Sequence, residues 1–103
     1  MQSSINDRVS LLNILTSYKH EIRNYGVERL GVFGSFAKNE MSHNSDVDLL
    51  VEFSNSKKTY DNYFELSNFL QDLLKRKVEL VTPQSLSKYL GPNILKQVID
   101  VAI

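Results

Sequence analysis

The stretch GVFGSFAKNEMSHNSDVDLLVEF, residues 31–53, decides how this 103-residue chain is read. Gly34-Ser35 closes one apolar run and Asp46-Val47-Asp48 opens the next, with ten residues between the two pairs. In DVDLLVEF the two-residue period of a strand puts Val47, Leu49 and Val51 on one face. Asp46, Asp48 and Leu50 fall on the other, with the two aspartates about 7 Å apart at Cα. Two like charges so placed repel each other and resist joint desolvation. A divalent cation relieves both costs. Magnesium suits the task, because it takes hard oxygen ligands and leaves positions for water and substrate phosphates. A pair of such ions would clamp the attacking and leaving oxygens of a phosphoryl displacement.

An isolated Asp-x-Asp carries little weight, since short motifs match by accident and a solvated strand end explains it equally well. Joined to Gly-Ser at one fixed spacing, it occurs by chance in roughly one such chain in a thousand at average residue usage. Gly34 ends a strand without a Cβ, so a phosphate can approach the backbone. Ser35 begins a helical turn whose hydroxyl and free N–H groups suit an anion. Alone, the pair reads as an ordinary strand-to-helix turn. Beside two metal-ready carboxylates it reads as a triphosphate cradle. A third acid, Glu79, interrupts the apolar strand KVELV, either at a sheet edge in water or turned toward a polar site. With Asp46 and Asp48 granted, the second reading makes it a further metal ligand and the acceptor of the attacking hydroxyl's proton.

Outward from this stretch, residues 7–24 carry a helical period through Val9, Leu12, Leu15 and Ile22, or through Val9, Leu11, Ile14 and Tyr18, with Asn6 or Ser4 as cap. Gly26 ends that helix, and VERLGVFGS is a strand up to Gly34. FAKNE forms a short helix from Ser35, MSHNS a turn in which Ser45 sets up Asp46, and residues 54–58 a loop. Residues 60–75 are helical, with Tyr60, Phe64, Phe69, Leu70, Leu73 and Leu74 as the apolar stripe. KVELVT is a third strand, Thr82-Pro83 starts a short helix to residue 89, and NILKQVIDVAI is expected as a last amphipathic helix. The alternation predicts one domain over residues 1–103, of α/β (α+β) class: a small mixed sheet flanked by helices. Whether the first two strands run parallel stays open at this level.

Composition narrows the function classes. Lys plus Arg equals Asp plus Glu at 12 each, which speaks against a large non-specific nucleic-acid grip and leaves room for a local basic patch. There is no cysteine, which excludes disulfides and thiolate zinc sites. The polar start lacks the layout of a signal peptide, and no apolar run reaches the ~18 residues of a membrane span. The expectation is a cytoplasmic protein with neither membrane nor direct nucleic-acid binding.

The residues resemble the minimal nucleotidyltransferases of the DNA polymerase beta superfamily. The motif is Gly34-Ser35, ten residues, then Asp46-Val47-Asp48 and the apolar LLVEF. RLGVFGSFAKNE, SDVDLLVEF, YFELSNFLQDLL, RKVELVTPQSL and ILKQVIDVAI look like family segments in family order. The resemblance implies a polymerase-beta-like palm in which Gly34 and Ser35 hold a nucleoside triphosphate. It also implies that Asp46, Asp48 and Glu79 ligate magnesium, where the family usually has aspartate at the third position. Lys38-Asn39 stands where the family often shows Arg-Gly, so Lys38 keeps a charge for phosphate but loses the forked guanidinium; a solvated helix lysine is the other reading. Family members of this size often pair with a helical HEPN ribonuclease toxin. The nucleotidyltransferase then acts as antitoxin, moving AMP from ATP to a tyrosine of the toxin. Neutralisation of the toxin by occlusion, without catalysis, is the alternative. The exposed side of the first helix and the last helix are candidate docking faces, although core packing explains their stripes as well.

Overall fold

The computed structural model describes residues 7–42, 44–84 and 96–103. The chain runs α1 (Arg8–Ser17), α2 (Lys19–Asn24), β1 (Val27–Phe33), α3 (Gly34–Ala37), β2 (Val47–Phe53), a 3₁₀ turn (Asn55–Lys57), α4 (Tyr60–Leu74), β3 (Val78–Val81) and β4 (Ile99–Val101). The strands form one mixed sheet in the order β3-β2-β1-β4. β1 is antiparallel to both β2 and β4, while β2 and β3 run parallel, joined through α4. The mixed α/β class and the helix-flanked sheet stand as expected.

One face of the sheet holds the main core. Leu30 and Val32 of β1, Val47, Leu49 and Val51 of β2 and Val78 and Leu80 of β3 pack on helix residues. Leu66, Leu70 and Leu74 recur every four residues along α4 and are fully buried. Each is worth about 1.5–3 kcal/mol of burial. The opposite face carries a smaller cluster, Phe33 and Leu50 with Val81 and Val98 against them.

Several local expectations change. The first helix is broken at Tyr18 into α1 and α2, and its cap is Asp7, whose carboxylate accepts from Ser10 N at 2.7 Å. Asn6 and Ser4 lie outside the described residues. Leu11, Leu15 and Ile22 carry the buried stripe and Val9 is exposed, so the core-facing phase is the i, i+4 one. In α4, Tyr60 and Phe64 are exposed and pack edge-on against each other, because the Leu66-Leu70-Leu74 row takes the core side.

The largest correction is at the C-terminus, where residues 99–101 form a strand rather than the end of a helix. Ile99 and Val101 alternate with Val98 and Asp100, a strand period hidden inside what also scans as a helical one. The open edge of β1 supplies the partner, pairing Leu30 with Val101 and Val32 with Ile99. Arg29 of β1 then bridges Asp100 at 3.0 Å and Glu52 at 3.2 Å, linking three strands on the sheet surface. The expected helix from Pro83 is seen only at Pro83 and Gln84; its remainder, with Tyr89, lies outside the described residues, as does His43.

Candidate active site

The site is set by register. Phe33, the last residue of β1, pairs with Asp48, and Asp48 pairs across the parallel ladder with Glu79. Gly34 therefore leaves the sheet directly beside Asp48, with Glu79 on the neighbouring strand. The chain turns at Gly34 with φ +72°, a left-handed value that side-chain-bearing residues avoid. A Cβ there would land on Asp48 Oδ2, with Asp48 Cγ at 3.0 Å and Cβ at 3.2 Å. The glycine backbone and the carboxylate thus share one space. Phe33, the residue capping α3, offers no side-chain hydrogen bond to the helix start. The first-turn N–H groups around Ser35 accordingly rely on partners other than a side-chain cap.

The carboxylates act on one another. Asp48 is pushed up to about 6, first by burial and then by the negative charges of Glu79 and Asp46. Its carboxyl is half-buried, whereas Glu79 on the edge strand is exposed. Among the described residues, no three acidic or imidazole side chains are already gathered as a metal cluster. The donor set nonetheless fits a hard cation: three oxygen-bearing groups, of which Asp48 is raised by burial and then by the charges of the other two, costs that a divalent cation would relieve. Asp46, Asp48 and Glu79 are the residues that would hold it.

The structure thus sets Gly34 against Asp48 and Glu79 level with Asp48 on β3, with Asp46 two residues before Asp48 and Ser35 following Gly34 in the first turn of α3. Lys38 stands apart, exposed at the C-terminal end of that helix, and its charge is not among those that move Asp48. Two cavities, of about 300 and 390 Å³, lie around Phe53, Lys58 and Thr82 at the far ends of β2 and β3. Neither is lined by the carboxylates.

Sequence reading overlooked two supports. Tyr63 of α4 donates its hydroxyl to Leu80 O at 2.6 Å, tying the helix to β3 one residue after Glu79. Its phenol is raised by burial first and by the Glu79 charge second. Arg76, in the turn between α4 and β3, donates to Ser45 O at 2.8 Å and Ser42 O at 3.1 Å. Neither role has a local sequence signature, because both partners are backbone carbonyls distant along the chain. The expected turn at Ser45 is present: its Oγ accepts from Ser42 N at 2.8 Å.

The raised Asp48 predicts a pH-dependent cost. An unfolded aspartate titrates at ~3.9, so the folded chain holds the extra proton between there and about 6. The favourable contribution is complete below ~pH 4 and is lost as pH rises through about 6. Asp48→Asn should therefore melt about 4 °C above wild type at pH 7.5, after discounting for solvent screening, and the gain should vanish at pH 4. Melting curves of both proteins at the two pH values, without metal, check this. A pH-independent difference would remove the electrostatic account.

Residues 15–102 match the nucleotidyltransferase domain family. The chain is 38% identical over 90 residues to the protein adenylyltransferase MntA of Thermococcus cleftensis, covering 86% of this chain and 90% of that protein. A solved structure described as a minimal nucleotidyltransferase superposes with TM-score 0.81 at 30% identity, covering 94% of this chain and 98% of the other. A toxin–antitoxin crystal structure with AMP-PNP shares the fold at TM-score 0.67 and 21% identity, covering 84% of this chain and 72% of that one. Among the described residues, no helix is long and apolar enough to cross a membrane. With the Gly-Ser turn seated against the Asp-x-Asp strand and the match running through both, the chain belongs to the nucleotidyltransferase domain family and is a nucleotidyl-transferring enzyme.

Proposed function

We propose that this chain transfers AMP from ATP to a hydroxyl, a tyrosine by preference, of a partner protein, and that the partner is a HEPN-family toxin which the modification silences. The observation that carries the reading is the Gly34 backbone packed on the Asp48 carboxylate, with Glu79 alongside in register. The 38% identity to a protein adenylyltransferase along most of both chains supports AMP as the transferred group. The toxin partner and the tyrosine rest on the family resemblance, and a cytoplasmic location goes with them.

The chemistry follows from the placement. Gly34 and Ser35 receive the triphosphate, the glycine giving it close access to backbone N–H groups. Lys38, at the open end of α3, is free to turn toward the phosphates. Asp46, Asp48 and Glu79 would hold magnesium, which would supply positive charge to the oxygens of the displacement. The acceptor oxygen forms a bond to the α-phosphorus as the bond to pyrophosphate breaks. The hydroxyl proton passes to a carboxylate, for which Glu79, the exposed one of the three, is suited.

The test is the mass of the co-purified partner after incubation with ATP and magnesium. A gain of one or more AMP units is expected. Complex formation with no mass gain would favour occlusion, a reading that the exposed Glu79 and the absence of a pre-gathered metal cluster among the described residues keep in play.

A further inference from the structure

We infer that Arg76 is a positioning residue: it holds the turn before β2 so that Asp46 and Asp48 meet the Gly34 turn in register. The inference rests on the proposed metal-carboxylate site. Arg76 sits where three parts of that site converge. Its Nη1 donates to the carbonyls of Ser42 and Ser45, and Ser45 immediately precedes Asp46. Its guanidinium carbon lies 5.2 Å from the centre of the Phe36 ring, the buried residue two positions after Gly34. Its own backbone leads into β3 and Glu79, and the adjacent Lys77 O accepts from Val47 N at 2.9 Å, opening the β2–β3 ladder. One side chain therefore ties the phosphate turn, the Asp-x-Asp turn and the approach to the third acid.

The turn before β2 follows Met41, which packs on the core, and is otherwise held by local bonds. Its own bonds are short-range, Ser42 N to Ser45 Oγ and Ser45 N to Ser42 O, and Ser42 and Asn44 are exposed. A charge-assisted donor reaching from another element fixes what local bonds leave loose.

The role is geometric rather than neutralising. The guanidinium donates to two backbone carbonyls and lies over a ring face. This distinguishes Arg76 from an ion-pair partner of Asp48 and predicts how variants behave. Lysine keeps the charge but loses the planar face that stacks on Phe36.

Three measurements on purified wild type, Arg76→Ala and Arg76→Lys test it. Hydrogen exchange of peptides spanning residues 44–50 should speed up about tenfold in Arg76→Ala, while exchange in α1 and in β1 stays at wild-type rates. Titration with Mn²⁺ alone should show about tenfold weaker binding. Where transfer activity is measured, kcat should fall by about the same factor with the KM for the partner unchanged. Arg76→Lys should lie between the two in each measurement. Uniformly faster exchange across the whole chain would reduce Arg76 to general stability and overturn the inference. Unchanged exchange at 44–50 would overturn it as well. If Arg76→Ala fails to fold, Arg76→Lys decides, and wild-type exchange in that variant sinks the idea. Exchange and Mn²⁺ binding need no acceptor, so an inactive wild-type protein would count against AMP transfer and leave this inference to be judged on its own.

Discussion

Asp48→Asn should lower AMP transfer to the partner by at least about 10³-fold while leaving the fold intact. Asparagine keeps the shape of the side chain and one of its oxygens but removes the charge that a divalent cation requires. Asp48 is also the hub of the carboxylate group: it touches Gly34, pairs with Glu79 and feels Asp46. The stability control makes the result interpretable. Because Asn carries no charge to be buried or repelled, the variant should melt no lower than wild type at pH 7.5. Lost transfer then cannot be blamed on unfolding. Rates near wild type in this variant, measured by partner mass or released pyrophosphate, would show that the site has been misplaced.

Gly34→Ala should cut transfer by about 10²-fold and also destabilise the chain, through two separable causes. Alanine at φ +72° costs about 1–2 kcal/mol in backbone conformation alone. The new methyl also falls on the Asp48 carboxylate, with Asp48 Cγ only 3.0 Å away, so either the turn or the aspartate must give. Whichever moves, the phosphate turn and the acid lose their alignment, and a 1 Å misplacement at such a site is worth about 10² in rate. A double-mutant cycle separates the causes. In an Asp48→Ala background the carboxylate clash is gone, and Gly34→Ala should cost only the conformational part. If the two changes instead prove additive, with Gly34→Ala costing as much in that background as in wild type, the close approach is not the reason for the glycine.

How much of this was legible follows a physical divide. The strand carrying Asp46 and Asp48, the glycine turn and the short helix after it are local matters. The first two are specified by side-chain alternation and by a residue without Cβ, each readable over a few residues. The helical stripes were harder. Both α1 and α4 offer more than one apolar phase, and only the sheet beneath them selected Leu11-Leu15 and Leu66-Leu70-Leu74 over Val9, Tyr60 and Phe64. The C-terminal strand shows the limit most clearly. VIDV scans equally well as helix or strand, and the unpaired N–H and C=O groups along the edge of β1 decide between them.

By itself, then, the amino-acid order determined a nucleotidyltransferase motif, its two aspartates, the glycine beside them and the mixed α/β class, because each is written in contiguous residues. Tertiary structure alone decided that β1 and β2 run antiparallel and that Glu79 stands level with Asp48. It also decided that Lys38 remains at the rim and that Arg76 reaches the turn before Asp46. These are relations between segments up to tens of residues apart, set by ladder register and by which carbonyls lie within reach of a long side chain. No local pattern encodes a distance of that kind.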